Sequence, residues 1–344
     1  MKSRTLLLCL LATALSATPL CAQSKLEKIT PNVSDQDAAR NSTRTHHALP
    51  ANTTRGKSFR PSRTAAQMQF MSAHAASAHA NSSAAPTVYP GTLSFLGGAT
   101  VRRAESHAVF VNSSTACPAP ACWGNPLQFL KDYGHSEFVR IVDQYVDDHR
   151  PDRYTLGDSF TLSAPSSGPY TDANMAAFAH AVASFGGFSG YDHIIHLFLP
   201  PGQDVCFDSS FTTCYSPDNP SSFAFCAYHS SADFTDVGHV LYTVEPFQDV
   251  PGCAVNPGTP NGQLVDSTNN ILSHETTETI TDPDGDAWIN IIDLSMLFEE
   301  TGDECELVNV FQGGFMPVDV ELDHHLYAIQ PEYSNLARGC ASRP

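Results

Sequence analysis

Residues 272–283 read Leu-Ser-His-Glu-Thr-Thr-Glu-Thr-Ile-Thr-Asp-Pro and carry the clearest pattern for chemistry in this chain. His274 and Glu278 are four residues apart, so on a helix their side chains share a face and could bind one Zn²⁺ together. Glu275 follows the first of these and could take a proton from a water bound to the metal. The pattern is that of the H-E-x-x-H zinc helix, with glutamate as its last residue. An exposed acidic helix face is the alternative.

A hydrolytic zinc site uses three protein ligands and leaves one position open for water. Glu300 follows the helix at the range where a downstream glutamate completes such a site, and it is our first candidate for the third ligand. Asp303, Glu299 and Asp284 are rivals, and each could equally be a solvated acid of an acidic domain. The sequence therefore predicts a metal centre and leaves its third ligand open.

A second metal pattern overlaps the end of this helix. Residues 282–293 match a twelve-residue calcium loop, with acidic residues at the first, third, fifth and last positions. The pattern departs from the usual loop at Ala287, where a sharp turn favours glycine. The predicted calcium ligands are Asp282, Asp284, Asp286, Trp288, Asn290 and Asp293.

His229 ends an apolar stretch, Phe223 to His229, that is predicted to be a strand. It could face the metal centre and polarise a substrate carbonyl, which makes it a second candidate catalytic residue beside Glu275. The alternative is a core histidine that is hydrogen-bonded to the backbone.

The first 87 residues differ from the rest of the chain in composition and in apolar periodicity. Residues 1–22 have a basic start, an apolar centre and a small residue at the end, which predicts a signal peptide and a secreted protein. Residues 23–87 are rich in Ala, Ser, Thr, Asn and His and show little apolar periodicity, which predicts a disordered or propeptide-like leader. Residues 88–344 then form the folded domain.

The charge and the cysteine content limit which partners and which cellular compartment are expected for this protein. The formal net charge is −18, and the acidic residues are concentrated after residue 88, which argues against nucleic acid and against membrane insertion. Of ten cysteines, Cys9 and Cys21 fall in the signal peptide, and an even number remains for disulfides. Nearest-neighbour pairing would join Cys117–Cys122, Cys206–Cys214, Cys226–Cys253 and Cys305–Cys340.

About 255 residues with mixed helices and strands predict one α+β domain with a single core, or two lobes, with a central sheet and disulfide staples. Strands precede the predicted metal helix, and a mostly irregular C-terminal part follows it. Zincin-type proteases show this order of elements, which is an analogy of fold and not of function.

Several short motifs carry a resemblance to a known family. They are Cys226-Ala-Tyr-His229, the Leu272-to-Pro283 helix, Ala287-Trp288, Glu300-x-Gly-Asp303-x-Cys305 and the late Cys340. With these motifs the chain, over about residues 90–342, resembles the Exordium-like (phosphate-induced protein) family of exported proteins. The resemblance implies a zincin-like domain. Asp284-Gly-Asp286 and residues 289–297 depart from the family pattern.

Two hypotheses follow. The first is an exported zinc-dependent hydrolase, a peptidase that acts on a protein or peptide substrate. The second is a non-catalytic extracellular protein that binds a cell-wall component or another protein, with a structural calcium or zinc site.

Overall fold

In a computed structural model of this protein, eight of the described strands form a mixed central sheet. The structure describes residues 26–52, 91–165, 168–292, 297–306, 310–311, 314–315 and 317–344. The strands of the central sheet are β1 (Glu27–Ile29), β2 (Thr43–Pro50), β3 (Ala104–Val111), β4 (Tyr154–Leu156), β5 (Phe160–Leu162), β6 (His193–Phe198), β7 (Phe225–Phe234) and β8 (Gly238–Glu245).

The strand order is β1-β5-β3-β6-β8-β7-β2, and β4 pairs with β3. The strands from β1 to β8 in this order run parallel, whereas β7 is antiparallel to both of its neighbours. Parallel strands joined through helices are buried on both faces, which explains apolar runs such as Ile194 to Leu199. These observations confirm the prediction of an α+β domain with a central mixed sheet.

Helices cover both faces of the sheet. The helices are α1 (Val33–Asn41), α2 (Pro126–Gly134), α3 (Asp143–Val146), α4 (Asp172–Gly186), α5 (Gln263–Thr281) and α6 (Asp303–Glu306). On β7, the Tyr228 hydroxyl donates to Asp172 of α4, whereas its neighbour His229 lies beside Glu275 of α5. Because successive strand residues point to opposite faces, α4 and α5 lie on opposite sides of the sheet.

The same alternation divides the core into two main clusters. On β6, Ile195 and Leu197 pack into the cluster that contains Phe178 of α4. Ile194 and Phe198 pack into the other, with Leu272 of α5. Helix α4 begins with a capping box at Thr171 and ends at Gly187, whose φ of 72° suits a left-handed C-cap.

Short strands outside the central sheet form one three-stranded sheet and several two-stranded pairs. One pair joins Ser94–Phe95 to Trp288–Ile289, just after the end of α5. The other short strands are Tyr170–Thr171, Val205–Cys206, Cys214–Tyr215, Val310–Phe311, Gly314–Phe315, Val318–Leu322, His325–Ile329, Glu332–Ser334 and Gly339–Ala341.

Part of the predicted leader is folded, which corrects the disordered interpretation for residues 26–52. Strand β1 pairs with β5 at one end of the sheet and β2 pairs with β7 at the other, while α1 lies between them in sequence. Helix α1 starts with a capping box between Asn32 and Asp35. The prediction failed because pairing with the sheet, and not apolar periodicity, orders this segment. The predicted signal peptide, residues 1–22, and residues 53–90 lie outside the described residues.

The four predicted disulfides are confirmed: Cys117–Cys122, Cys206–Cys214, Cys226–Cys253 and Cys305–Cys340. Such a set is consistent with an extracellular protein. Among the helices that the structure describes, none combines the length and the apolar character needed to cross a bilayer.

Candidate metal centre

Helix α5 places His274 and Glu278 together in the interior. Nε2 of His274 lies 3.1 Å from Oε2 of Glu278, and the two residues are 0% and 1% exposed. The five threonines of this helix are buried as well, and each of their hydroxyls donates to a carbonyl group one turn earlier. The helix ends before Pro283, since a residue that precedes proline disfavours the helical conformation. The shared helix face that the sequence predicts is therefore formed, but it is buried and not exposed.

The segment before α6 orients the Glu278 carboxylate. The backbone N–H groups of Gly302 and Asp303 each donate to Oε1 of Glu278 at 3.1 Å. Burial alone would raise the pKa of Glu278, but His274 beside it holds that pKa below its usual range. One oxygen is thus fixed by the backbone, and the other faces the His274 imidazole.

Asp303 brings a third candidate ligand to the same place. Its Oδ1 lies 3.7 Å from Nε2 of His274. Ligand atoms of His274, Glu278 and Asp303 all lie within 4.8 Å of one another. Asp303 is nearly buried, and its Oδ1 accepts no hydrogen bond from the described residues. Burial, and then the charge of Glu278, raise the pKa of Asp303 well above its usual range. One imidazole and two carboxylates are a ligand set that suits zinc and other divalent ions.

Glu275 and His229 adjoin this cluster. Nδ1 of His229 lies 3.5 Å from Oε2 of Glu275 and 3.7 Å from Oε2 of Glu278. Its other ring nitrogen lies 3.3 Å from the carbonyl oxygen of Asp282. Burial, and then the charges of Glu278 and Glu245, raise the pKa of Glu275 well above its usual range. The structure therefore brings both predicted catalytic residues to the edge of the candidate centre.

Glu300 lies in a neighbouring group and not beside His274. Its Oε2 is 3.6 Å from Nε2 of His229, and its Oε1 is 2.5 Å from Nδ1 of His47. The His47 and His229 rings stack with centroids 5.0 Å apart. Ligand atoms of His47, His229 and Glu300 form a second group that could hold a metal ion. Glu300, which the sequence favours as the third ligand, thus belongs to this second group. Its rival Asp303 lies next to His274.

Sequence reasoning missed His47, because it lies in the segment that was predicted to be disordered. Strand β2 places it directly opposite His229 of β7. Within β2 the buried apolar residues are Ala48 and Leu49, which are adjacent and do not alternate with polar residues, so the strand has no periodic signal. Only the pairing with β7 reveals this residue.

Among the described residues, the predicted calcium ligands join none of the groups that could hold a metal ion, and the calcium loop stays a prediction. Asp282 accepts a hydrogen bond from the backbone of Ala287, and Asp284 lies 3.2 Å from His239 and accepts from Tyr191. The indole of Trp288 donates to the Tyr145 carbonyl, and the Asn290 amide donates to Glu304. Asp286 joins none of the groups that could hold a metal ion, and Asp293 lies outside the described residues.

The segment that follows α5 keeps a turn in which the Gly285 N–H donates to the Asp282 carbonyl, and residues 288–289 then pair with residues 94–95. The remaining rivals for the third zinc ligand, Asp284 and Glu299, also lie outside the groups that could hold a metal ion in the described part of the chain.

A buried polar network on the sheet lies near Glu275. Thr243 donates to Glu245 at 2.8 Å, and its hydroxyl lies 2.9 Å from Nδ1 of His196. Burial raises the pKa of Glu245 to about 8 and lowers that of His196 to about 3. Both effects follow from the cost of holding charge in the interior.

The comparisons with known proteins indicate no function for this chain. The chain matches no family model, no curated protein and no solved structure.

Proposed function

We propose that this protein is an exported, zinc-dependent hydrolase that cleaves peptide bonds in a zincin-like domain. The observation that carries the proposal is the buried cluster of His274, Glu278 and Asp303, with Glu275 beside it. Burying several acids costs free energy unless charge or hydrogen bonds compensate, and a divalent ion would supply that compensation. The resemblance to Exordium-like proteins supports export and a zincin-like fold.

His274, Glu278 and Asp303 would hold the metal. When bound, the ion would act as a Lewis acid and lower the pKa of a water molecule. Glu275 would take a proton from the attacking water and later give it to the leaving amine. The assignment rests on the position of Glu275 next to His274 on α5.

His229 would position Glu275. Its Nδ1 lies within 3.7 Å of both Glu275 and Glu278, and its other nitrogen faces the Asp282 carbonyl. The ring is thereby placed between the base and a metal ligand. A hydrogen bond from this ring would set the orientation of the Glu275 carboxylate.

One observation favours a second candidate function. His274, Glu275 and Glu300 are each 0% exposed, which suits a structural metal as well as a closed active site. A non-catalytic extracellular or cell-wall binding protein with such a metal is therefore the alternative.

Zinc analysis combined with a hydrolysis assay separates the two candidates. We expect about one tightly held zinc ion per chain, which is lost in His274→Ala. We expect Glu275→Gln to keep the zinc and to lower hydrolysis of an unfolded protein substrate by about 10²- to 10⁴-fold. Zinc retained in every preparation, without hydrolysis under any condition including removal of residues 26–52, would favour the structural role.

A further inference from the structure

Strand β2 lies along the edge of β7 in the way that an added polypeptide strand would. The pairing is antiparallel and extends from Asp233 opposite Thr43 to Phe225 opposite Pro50. Without β2, β7 would be the terminal strand of the sheet on this side. An exposed strand edge binds extended peptides through main-chain hydrogen bonds. Without β2, the edge of β7 next to the candidate centre would therefore be unpaired.

The contacts of β2 extend into the candidate centre. His47 lies 2.5 Å from Glu300 and stacks on His229. Leu49, two residues further along β2, is fully buried. Gly285 faces the other side of the His47 ring so closely that a Cβ atom there would overlap the imidazole. Strand β2 therefore lies between the candidate centre and the loop that follows α5.

The centre is closed while β2 is in place. Glu275 and Glu300 are 0% exposed, and His47 itself is only 2% exposed. A polypeptide substrate has to bring a carbonyl group to this centre, and in this arrangement β2 already contacts it through His47. In the folded chain, β2 therefore occupies the position that a polypeptide substrate would take.

We infer that the β7 edge is the polypeptide-binding surface of this site, and that the chain's own segment Thr43–Pro50 occupies it as an intramolecular inhibitor. This inference rests on the proposed hydrolase. The partner that the surface fits is an extended polypeptide, which would add antiparallel to β7 in place of β2. Covalent linkage keeps β2 at a high effective concentration, so a substrate in solution competes poorly until the link is cut.

One anchor of β2 lies away from the metal centre and can be removed separately. Nε of Arg44 lies 2.7 Å from Oδ2 of Asp172 on α4, and the Asp172 side chain is 3% exposed. On the same leader, Arg40 forms an exposed ion pair with Asp37 at 3.1 Å, with 68% and 56% of the two side chains accessible. Exposed pairs contribute little to stability, so Arg40 provides a matched control for Arg44.

The first experiment cuts the full chain after it has folded. A site for a specific protease is inserted between Asn52 and Gly91, and the chain is assayed before and after cutting with labelled casein as the unfolded substrate. We expect hydrolysis to rise at least tenfold after cutting and dilution, as the leader fragment dissociates. A synthetic peptide of residues 43–50 should bind the leader-depleted protein and restore inhibition, whereas the same peptide with His47→Ala should bind more weakly. Measurable hydrolysis at equal rates by cut and uncut chains would overturn the inference.

The second experiment leaves the chain uncut and so avoids any dependence on refolding. Arg44→Ala should raise hydrolysis severalfold above that of Arg40→Ala, at equal zinc content and with an unchanged near-ultraviolet spectrum. Equal rates in these two variants would count against inhibition by β2.

The two proposals fail in different ways. Zinc binding and peptide binding without hydrolysis in the leader-depleted protein would reject the hydrolase and retain the binding surface. Full hydrolysis by the uncut chain would retain the hydrolase and reject the inhibitor.

Discussion

Gly302 packs directly against the imidazole of His274. A Cβ atom at position 302 would overlap Nδ1 and would lie 3.0 Å from Oε1 of Glu278. The same glycine donates its backbone N–H to that oxygen. Gly302 therefore allows the segment before α6 to approach α5 closely enough to bring Asp303 to the candidate centre.

Replacement of this glycine should weaken the metal centre. We expect Gly302→Ala to push the His274 ring out of place and to lower zinc affinity by roughly 10- to 100-fold, the range seen when groups around metal ligands are disturbed. Competition with a fluorescent zinc chelator measures the change. Gly339→Ala is the control, because a Cβ atom there meets nothing within 4 Å. Unchanged affinity in Gly302→Ala would show that this contact does not position the ligand.

The choice between Asp303 and Glu300 as third ligand can be tested directly. Asp303 lies with His274 and Glu278, whereas Glu300 lies with His47 and His229. We therefore expect Asp303→Asn to lower zinc affinity at least tenfold and Glu300→Gln to change it by less than about threefold. Titration of zinc into metal-free protein gives both values. The reverse order of effects would assign the ligand to Glu300.

The Cys305–Cys340 disulfide should support both stability and the centre. It closes a loop with a sequence separation of 35, and Cys305 lies in α6 two residues after Asp303. Replacing both cysteines by serine should cost about 3–4 kcal/mol in the free energy of unfolding and lower zinc affinity as well. Denaturant titration and zinc titration measure the two effects.

The Cys117–Cys122 pair is the control for that prediction. With a sequence separation of only 5, its replacement should cost less, about 2 kcal/mol, and leave zinc affinity unchanged. Loss of zinc in both double variants would point to general unfolding instead of local support.

His239 should make stability fall between neutral and alkaline pH. Burial alone would lower its pKa, but Asp284 and Asp233 raise it to about 9 from an unfolded value of 6.5. A raised folded pKa gives stability that is complete below the unfolded pKa and is lost as pH rises through the folded pKa. After allowance for solvent screening of this partly exposed group, we expect a loss of roughly 1 kcal/mol between pH 6.5 and 9.

Thermal melts across this pH range test the effect of His239. His239→Gln should flatten the decline, and His324→Gln should not, since the His324 side chain is 92% exposed. An equal decline in wild type and His239→Gln would assign the pH dependence to other groups.

Local spacing explains which parts of the site were predictable. His274 and Glu278 share a face because four residues make about one helical turn, and the short-range cysteine pairs follow from proximity along the chain. Asp303 was only one of several rivals, since the choice depends on how Gly302 lets its segment turn toward α5. The calcium loop stays a prediction, because its last ligand, Asp293, lies outside the described residues.

His47 shows the limit of sequence reasoning most clearly. Nothing in the residues around it distinguishes a strand from an unstructured leader, and its partners His229 and Glu300 lie far away in sequence. Such a residue enters a site only when the sheet is assembled, so a local pattern could not reveal it.

The two outermost positions of the central sheet are both filled by residues 26–52, with β1 against β5 and β2 against β7. Loss of this segment would leave unpaired amide and carbonyl groups on two opposite sides of the molecule. Bare strand edges of that kind recruit other chains and promote aggregation. A molecule without residues 26–52 should therefore polymerise as its concentration increases, so solubility would limit how long the shortened form persists.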